Sequence, residues 1–334
     1  MVWFWLALCA LLCWSGSDIF SKIGSKTDDK YSHWKMVITV GTAFGLHALY
    51  QIFVGGTQIT PHTLIAYLPA SALYIGSMVL GYVGLRYIEL SVSSPICNSS
   101  GALVFLAMCL VMPDQVDTSL LPVLAVALVC LGVLTLGIVE MMEDEEAKLR
   151  RREPANVRYA KSFIALLFPI LYCVLDAGGG FADIYIMNQL TGDAMTARLG
   201  GAASTLTGDA LAALQEEVET VVALQCNTAY ELTFLLMAVL AFIYVVVIKK
   251  QRLTVRREGP KALAAVCETA GQLCYALVMA DTDHAAFGAA IIASYCALSA
   301  IWARIFLKEK LSWKHYVAIG MTVTGIIALG LFDI

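Results

Sequence analysis

Few residues in this chain are equipped for chemistry, and those few sit in oily surroundings. Asp18 in CWSGSDIFSK, Asp176 in CVLDAGGGFAD, Glu231 in NTAYELTFLL and Glu268 in VCETAGQLCYALVM are carboxylates inside long apolar runs. A charge at the centre of a bilayer costs about 2.5–3.5 kcal/mol on insertion scales, so each is a candidate for binding or proton exchange. Glu268 has the most pointed setting. It lies seven residues past Lys261, about 10 Å into its run at a helical rise, with Gln272 at i+4 and Tyr275 at i+7 on the same face. That pattern suits a carboxylate that titrates a proton or binds an amine.

The remaining candidates are uncharged or more peripheral. Glu231 lies about one third of the way into its run, and His47, about 18 Å along from Lys35, falls near a midplane as either a ligand or a hydrogen-bonded packing group. Tyr74, and Asn98 after Pro95, are further polar groups at depth. Tyr295 and Trp302, at i and i+7, are spaced to stack an aromatic ring or simply to pack. Asp176 and Asp183 share a helix face about 10.5 Å apart, Asp176 reading as the interior acid and Asp183 as the interfacial one.

The elements that must position these groups are set by composition. Of 334 residues 59% are hydrophobic and 14% charged, and the mean hydropathy is +0.76, outside the range of soluble domains. Apolar runs of about 20 residues, enough to cross a bilayer, recur end to end. Ten are expected, near 2–21, 35–54, 63–85, 89–112, 119–140, 161–187, 224–248, 261–280, 285–307 and 314–332. Continuous runs mean helices and not barrel strands, so the fold class is an all-α polytopic membrane protein. The first run lacks a basic leader and a small-x-small cleavage site, and reads as a span.

Charge placement predicts sidedness. The odd-numbered loops and their helix ends carry 21 of the 22 Lys and Arg residues, and the other face carries Arg198 with Asp114, Asp117, Asp193, Asp209 and Glu216 among its acids. The basic face is expected in the cytoplasm of a plasma-membrane protein, with both termini outside. The ten cysteines fall almost entirely within apolar spans and include no CxxC, so they read as packing groups, and no metal site and no cofactor are expected. The basic clusters are helix flanks, which argues against a nucleic-acid partner.

An internal repeat is visible. GVLTLG at 132–137 matches GIIALG at 325–330, MPDQV at 112–116 sits where LKEKL does at 307–311, and SSPICNSSGAL at 93–103 sits where AAIIASYCAL does near 289–298, at offsets of 193 to 195. The chain then divides into a five-helix unit at 1–141, a charged linker at 142–160 and a second five-helix unit at 161–334. The second unit carries an inserted loop at 191–222. Its LxxL-type spacing at Leu211, Leu214, Val218, Val221 and Val222, with Asp209 as N-cap, predicts a surface helix or a lid. Because five is odd, the second unit must enter from the opposite side, giving the inverted repeat found in transporters with a midplane site. The first helix of each unit pairs small residues with an acid (Gly16 and Asp18; Gly178, Gly179, Gly180 and Asp176), which reads as a matched helix interruption or as close helix packing.

The run FLKEKLSWKHYVAIGMTVTGIIALG, with AAFGAAIIASYCALSAIWARI before it, resembles the end of an EamA domain, and WSGSDIFSK through SSPICNSSGAL to GVLTLG resembles the same domain in degenerate form. The resemblance covers nearly the whole chain and implies the drug/metabolite transporter superfamily, with export or exchange of small metabolites such as amino acids, purines or phosphorylated sugars. Members are described with cytoplasmic termini, and the charge bias here departs from that.

The expected activity is secondary transport of a small polar or amphipathic metabolite by alternating access, with or without proton coupling. A lipid-linked substrate flippase and a non-transporting scaffold or sensor are the alternatives. An enzyme is not expected, since HExxH, GxSxG and metal-ligand clusters are missing from the sequence.

Overall fold

A computed structural model describes residues 2–26, 28–113, 119–142, 164–200, 208–279, 288, 291–292, 294–309 and 311–331. The described chain is all-helical: α1 (Val2–Gly24), α2 (Ser32–Phe53), α3 (Pro61–Gly84), α4 (Leu90–Cys97), α5 (Ser100–Val111), α6 (Leu120–Met142), α7 (Ile164–Leu199), α8 (Gly208–Phe242, continued as a π-helix to Ile248), α9 (Val255–Met279), α10 (Tyr295–Phe306) and α11 (Trp313–Leu331). Six segments are long and apolar enough to cross a membrane: α1, α2, α3, the α4–α5 pair, α7 and α8. α6 and α10 add shorter apolar stretches. α9 opens on the charged run VRREGPK, and α11 carries Lys314 and His315 in its first turn. Local signals fix several ends. Thr60 caps α3 by accepting from the Thr63 amide at 3.1 Å, and Pro61 follows at the first helical position.

The helices pack in matched pairs. α1 lies along α9 as α3 lies along α7, and α2 touches α9 as α3 touches α8. α2 packs on α8, and α6 on α11. Exchanging the nth span before the 142–160 linker with the nth span after it, the α4–α5 pair being the fourth, swaps α1–α9 with α7–α3 and α2–α9 with α8–α3, and returns α2–α8 and α6–α11 to themselves. The α6–α11 seam shows the exchange at atomic detail. A Cβ on Gly132 would fall 2.6 Å from the Thr322 amide nitrogen, and one on Gly325 would fall 2.8 Å from the Val129 nitrogen. The offset of 193 that relates Gly132 to Gly325 also relates Val129 to Thr322, so the seam is its own mirror. Small residues at such crossings let backbones meet where lipid offers no hydrophobic drive.

The fourth span breaks in the middle. Pro95 removes one backbone donor, and the chain turns at Asn98 and Ser99 between α4 and α5. The Ser99 hydroxyl and amide both bond the Ile96 carbonyl, at 2.6 and 3.2 Å, with φ −80° and ψ 0°. Ser294, 195 residues on, bonds the Ile291 carbonyl through the same two groups at 2.6 and 3.2 Å, with φ −73° and ψ −1°. The repeat seen in the sequence therefore extends to a shared turn.

Of the two readings of the glycine segments the structure shows close packing, and helix extends over most of the described part of 191–222. The acid-bearing glycine segments are not interrupted: α1 and α7 run unbroken through Gly16 and Gly178–Gly180. Instead Gly179 gives room to Tyr74, whose ring lies 2.9 Å from where a Cβ would stand. The 191–222 connection is mostly helical, because α7 continues to Leu199 and α8 starts at Gly208. Leu214, Val218 and Val222 pack on Met187, Leu190 and Met195 of α7, so apolar spacing extends both helices as an antiparallel pair. Leu211 and Val221 are exposed. The Asp209 side chain, and the linker from residue 143 to 160, lie outside the described residues.

Candidate functional site

Three carboxylates from three helices share one region, Glu268 lying within electrostatic reach of both Asp18 and Asp176. On α1, one Asp18 oxygen accepts from the Ser94 hydroxyl of α4 and the Ser299 hydroxyl of α10, both at 2.6 Å. On α7, Asp176 accepts from Ser100 of α5 at 2.7 Å and from Ser77 of α3 at 3.3 Å. On α9, Glu268 accepts from Ser17 and lies within electrostatic reach of both aspartates. All three side chains are partly accessible to solvent. Hydroxyl donors satisfy part of each carboxylate's acceptor capacity and leave the rest available.

The wall around the acids is aromatic. Tyr82, Tyr172, Tyr230 and Tyr295 all lie within electrostatic reach of Glu268. Tyr74 stands against Gly179, 5.9 Å from the Tyr230 ring. Trp14 spans Tyr275 at 5.4 Å and Tyr295 at 5.6 Å between ring centroids. Phenol rings beside carboxylates favour organic cations, through both charge and the ring face.

A second polar chain runs between α2, α8 and α9. The Glu231 carboxylate, fully buried at 0% exposure, meets His47 Nδ1 at 2.7 and 2.9 Å and accepts from Asn227 at 3.2 Å. Asn227 in turn accepts from Gln272 at 3.2 Å. Gln272 thus turns from Glu268 toward the α8 network, although both leave the same helix. Asp183, read as interfacial, accepts from the buried Tyr67 hydroxyl at 2.6 Å within the α3–α7 packing.

The structure brings Asp18, Asp176, Glu268, Tyr74, Asn98 and Tyr295 into one region, with Asn98 donating to Ser94 beside Asp18 and bonding Tyr295. Trp302 does not join Tyr295 as a platform. Its indole donates to Ser15 at 3.3 Å and its ring packs on Phe306, because i+7 carries it about 10.5 Å toward the basic end. Sequence reasoning passed over Ser17, Ser77, Ser94, Ser100 and Ser299, and the tyrosines 82, 172 and 230. One signal was present: Ser94 and Ser100 flank the Pro95 break, and Tyr172 lies one turn before Asp176.

The basic face is stitched by ions. Lys35 meets Asp29 at 2.7 Å and Glu258 at 3.5 Å, and Lys261 meets Glu258 at 2.8 Å. Burial alone would lift the Asp29 carboxyl, but Lys35 and the Tyr31 amide overcome it and hold the group below the ordinary carboxylate range. Glu309, of the LKEKL corner, accepts from the Leu90 and Ser91 amides at 2.9 and 3.1 Å and from the Ser91 hydroxyl. A carboxylate there satisfies the first orphan donors of α4 and complements its dipole.

That corner and the helices beside it decide the comparison with known proteins. Residues 214–331 match the EamA-like transporter family. The matched segment takes in most of α8 and all of α9, α10 and α11, and so contains Glu231, Glu268, Gln272, Tyr275, Tyr295 and Trp302. A comparison with curated proteins gives no significant match. The chain is a multi-pass membrane protein whose segment 214–331 is similar to the EamA-like transporter family, and Asp18 and Asp176 lie outside the matched segment.

Proposed function

We propose that this protein is a secondary transporter of the plasma membrane that moves a small amphipathic metabolite by alternating access, with Asp18, Asp176 and Glu268 as the groups that bind substrate or protons. One observation carries the reading: three partly accessible carboxylates, each held by hydroxyls and walled by tyrosines, lie where the two sets of spans meet. A charged cluster at that depth is costly unless it is used. The chemistry favours a substrate bearing an amine and an apolar or aromatic part, the amine on a carboxylate and the remainder against tyrosine faces. The paired contacts and the shared turns at Ser99 and Ser294 support two inverted five-helix units, 1–141 and 161–334, rocking about the acids. The concentration of Lys and Arg on one face supports a cytoplasmic basic face and outside termini.

The test is flux in proteoliposomes under an imposed pH gradient, using a library of amine-bearing metabolites. Uptake or efflux that Glu268→Gln abolishes and Glu219→Gln preserves is expected; Glu219 lies exposed on α8. No flux for any library member would favour a scaffold or sensor, and movement of lipid-linked compounds alone would favour a flippase.

A further inference from the structure

Two cavities on the basic face share a wall. The first, about 510 Å³, lies where the α1–α2 and α8–α9 connections meet and is lined by Lys30, Lys35, Arg252 and Arg257 together with Asp28 and Asp29. Four cations thus face two carboxylates, and a third, Glu258, lines the adjoining cavity 3.5 Å from Lys35. Asp29 is taken by Lys35 at 2.7 Å, and Asp28 reaches Arg257 only at 3.8 Å with both side chains 62% exposed. Lys30, Lys35, Arg252 and Arg257 still outnumber the three carboxylates beside them, and Lys261 holds Glu258 from the other side at 2.8 Å. The second cavity, about 370 Å³, is an apolar groove between α2 and α9 that shares Lys35 and Thr254 with the first. Ile38, Thr42 and Leu46 form one wall, Val255, Ala262 and Val266 the other. Leu46, Val255 and Val266 are 64%, 92% and 63% exposed, so the groove opens sideways toward hydrocarbon.

We propose that this pair of cavities is a site for an anionic phospholipid, the phosphate in the cationic pocket and one acyl chain in the groove. Dimensions fit this occupant. From Lys35 to Leu46 the groove follows eleven residues of α2, about 16 Å at a helical rise, which is the depth of one leaflet of a hydrocarbon core about 30 Å thick. A soluble anion would use the pocket and leave the groove unfilled; a neutral lipid would use the groove and leave the charge unanswered. Only an anionic lipid matches both halves, and clusters of Lys and Arg beside a span attract such headgroups. The site lies apart from the acids and does not depend on what is transported.

Purified full-length protein in detergent, titrated with phosphatidylglycerol, phosphatidylcholine or soluble glycerol phosphate, tests the proposal by thermal unfolding. Phosphatidylglycerol should raise the apparent Tm by several degrees more than phosphatidylcholine at equal mole fraction, since a ligand of the folded state stabilises it. Arg252→Gln with Arg257→Gln, both exposed side chains, should erase that difference, and Ala262→Trp should do so by filling the groove while leaving the charges in place. Native mass spectrometry of the same folded variants should show fewer retained phosphatidylglycerol molecules. Equal stabilisation by phosphatidylcholine, or the full gain from glycerol phosphate alone, would overturn it.

Discussion

Asp18 and Ser299 lie 281 residues apart and are joined at 2.6 Å across the junction between the two sets of spans. The same carboxylate oxygen takes a second hydroxyl from Ser94 at 2.6 Å, so one acid on α1 reads the positions of both α4 and α10. Removing one donor leaves a part-buried anion short of a partner, at a cost of about 1–3 kcal/mol. Ser299→Ala should therefore lower the Tm of the detergent-solubilised protein, and Asp18→Asn in the Ser299→Ala background should lower it by less than the sum of the single changes. Strict additivity in that double-mutant cycle would sink the coupling.

The His47–Glu231 pair makes a sharper case, because Glu231 is fully buried. Truncating one member of a buried pair strands the other and costs about 3–5 kcal/mol. His47→Leu should be strongly destabilising, while His47→Leu with Glu231→Leu should recover much of the loss. Thermal unfolding of the four proteins checks this, and a double variant no better than His47→Leu would refute the account.

Gly179 and Gly192 separate packing from helix propensity on a single helix. A side chain at 179 meets the Tyr74 ring, whereas nothing lies within 4 Å of a Cβ at 192. Gly179→Val should cost about 1–3 kcal/mol through overpacking, and Gly192→Ala should be neutral or stabilising. Equal Tm values for the two variants would contradict the close approach.

Asp29 predicts an acid limb. Its carboxyl titrates lower in the folded protein than in the unfolded chain, so its contribution is present above the unfolded value of about 4 and is lost as pH falls through the folded one. The Tm difference between the parent and Asp29→Asn should be constant at pH 6 to 8, roughly two or more units above the unfolded value, and shrink below about 4. A difference that grows on acidification has the wrong sign for this arrangement.

Sidedness can be read with a C-terminal fluorescent protein that matures only in the cytoplasm. Dark cells with normal expression are expected from the charge bias; bright cells would reverse it.

Hydropathy made the spans legible, since each must satisfy its backbone internally and stay apolar for about 20 residues. Spacing of glycines and serines made the repeat legible, and Gly132 with Gly325 and Ser99 with Ser294 carry it into the coordinates. Breaks were harder to locate. CVLDAGGGFAD reads as a helix in danger, yet glycine keeps its amide and α7 continues; the chain turns where Pro95 loses a donor and a serine hydroxyl competes for a carbonyl. The acids were visible because charge in an apolar run is rare. Their serine partners were not, because a hydroxyl is common in such runs and its role depends on how each helix is rotated. Asp18, Asp176 and Glu268 could be chosen from sequence, but that the first two each touch the broken fourth span or its repeat could not.

The self-mirrored seam between α6 and α11 constrains how the halves can move. At Gly132 and Gly325 a Cβ would meet both the side chain and the main-chain nitrogen of Thr322 and Val129. Sliding one helix by a turn, about 5.4 Å, would drive bulkier neighbours into that backbone. Rotation about the crossing point meets no such obstacle. In the rocking proposed for the two halves, this seam would serve as the pivot, and travel at the acids would be set by their distance from it.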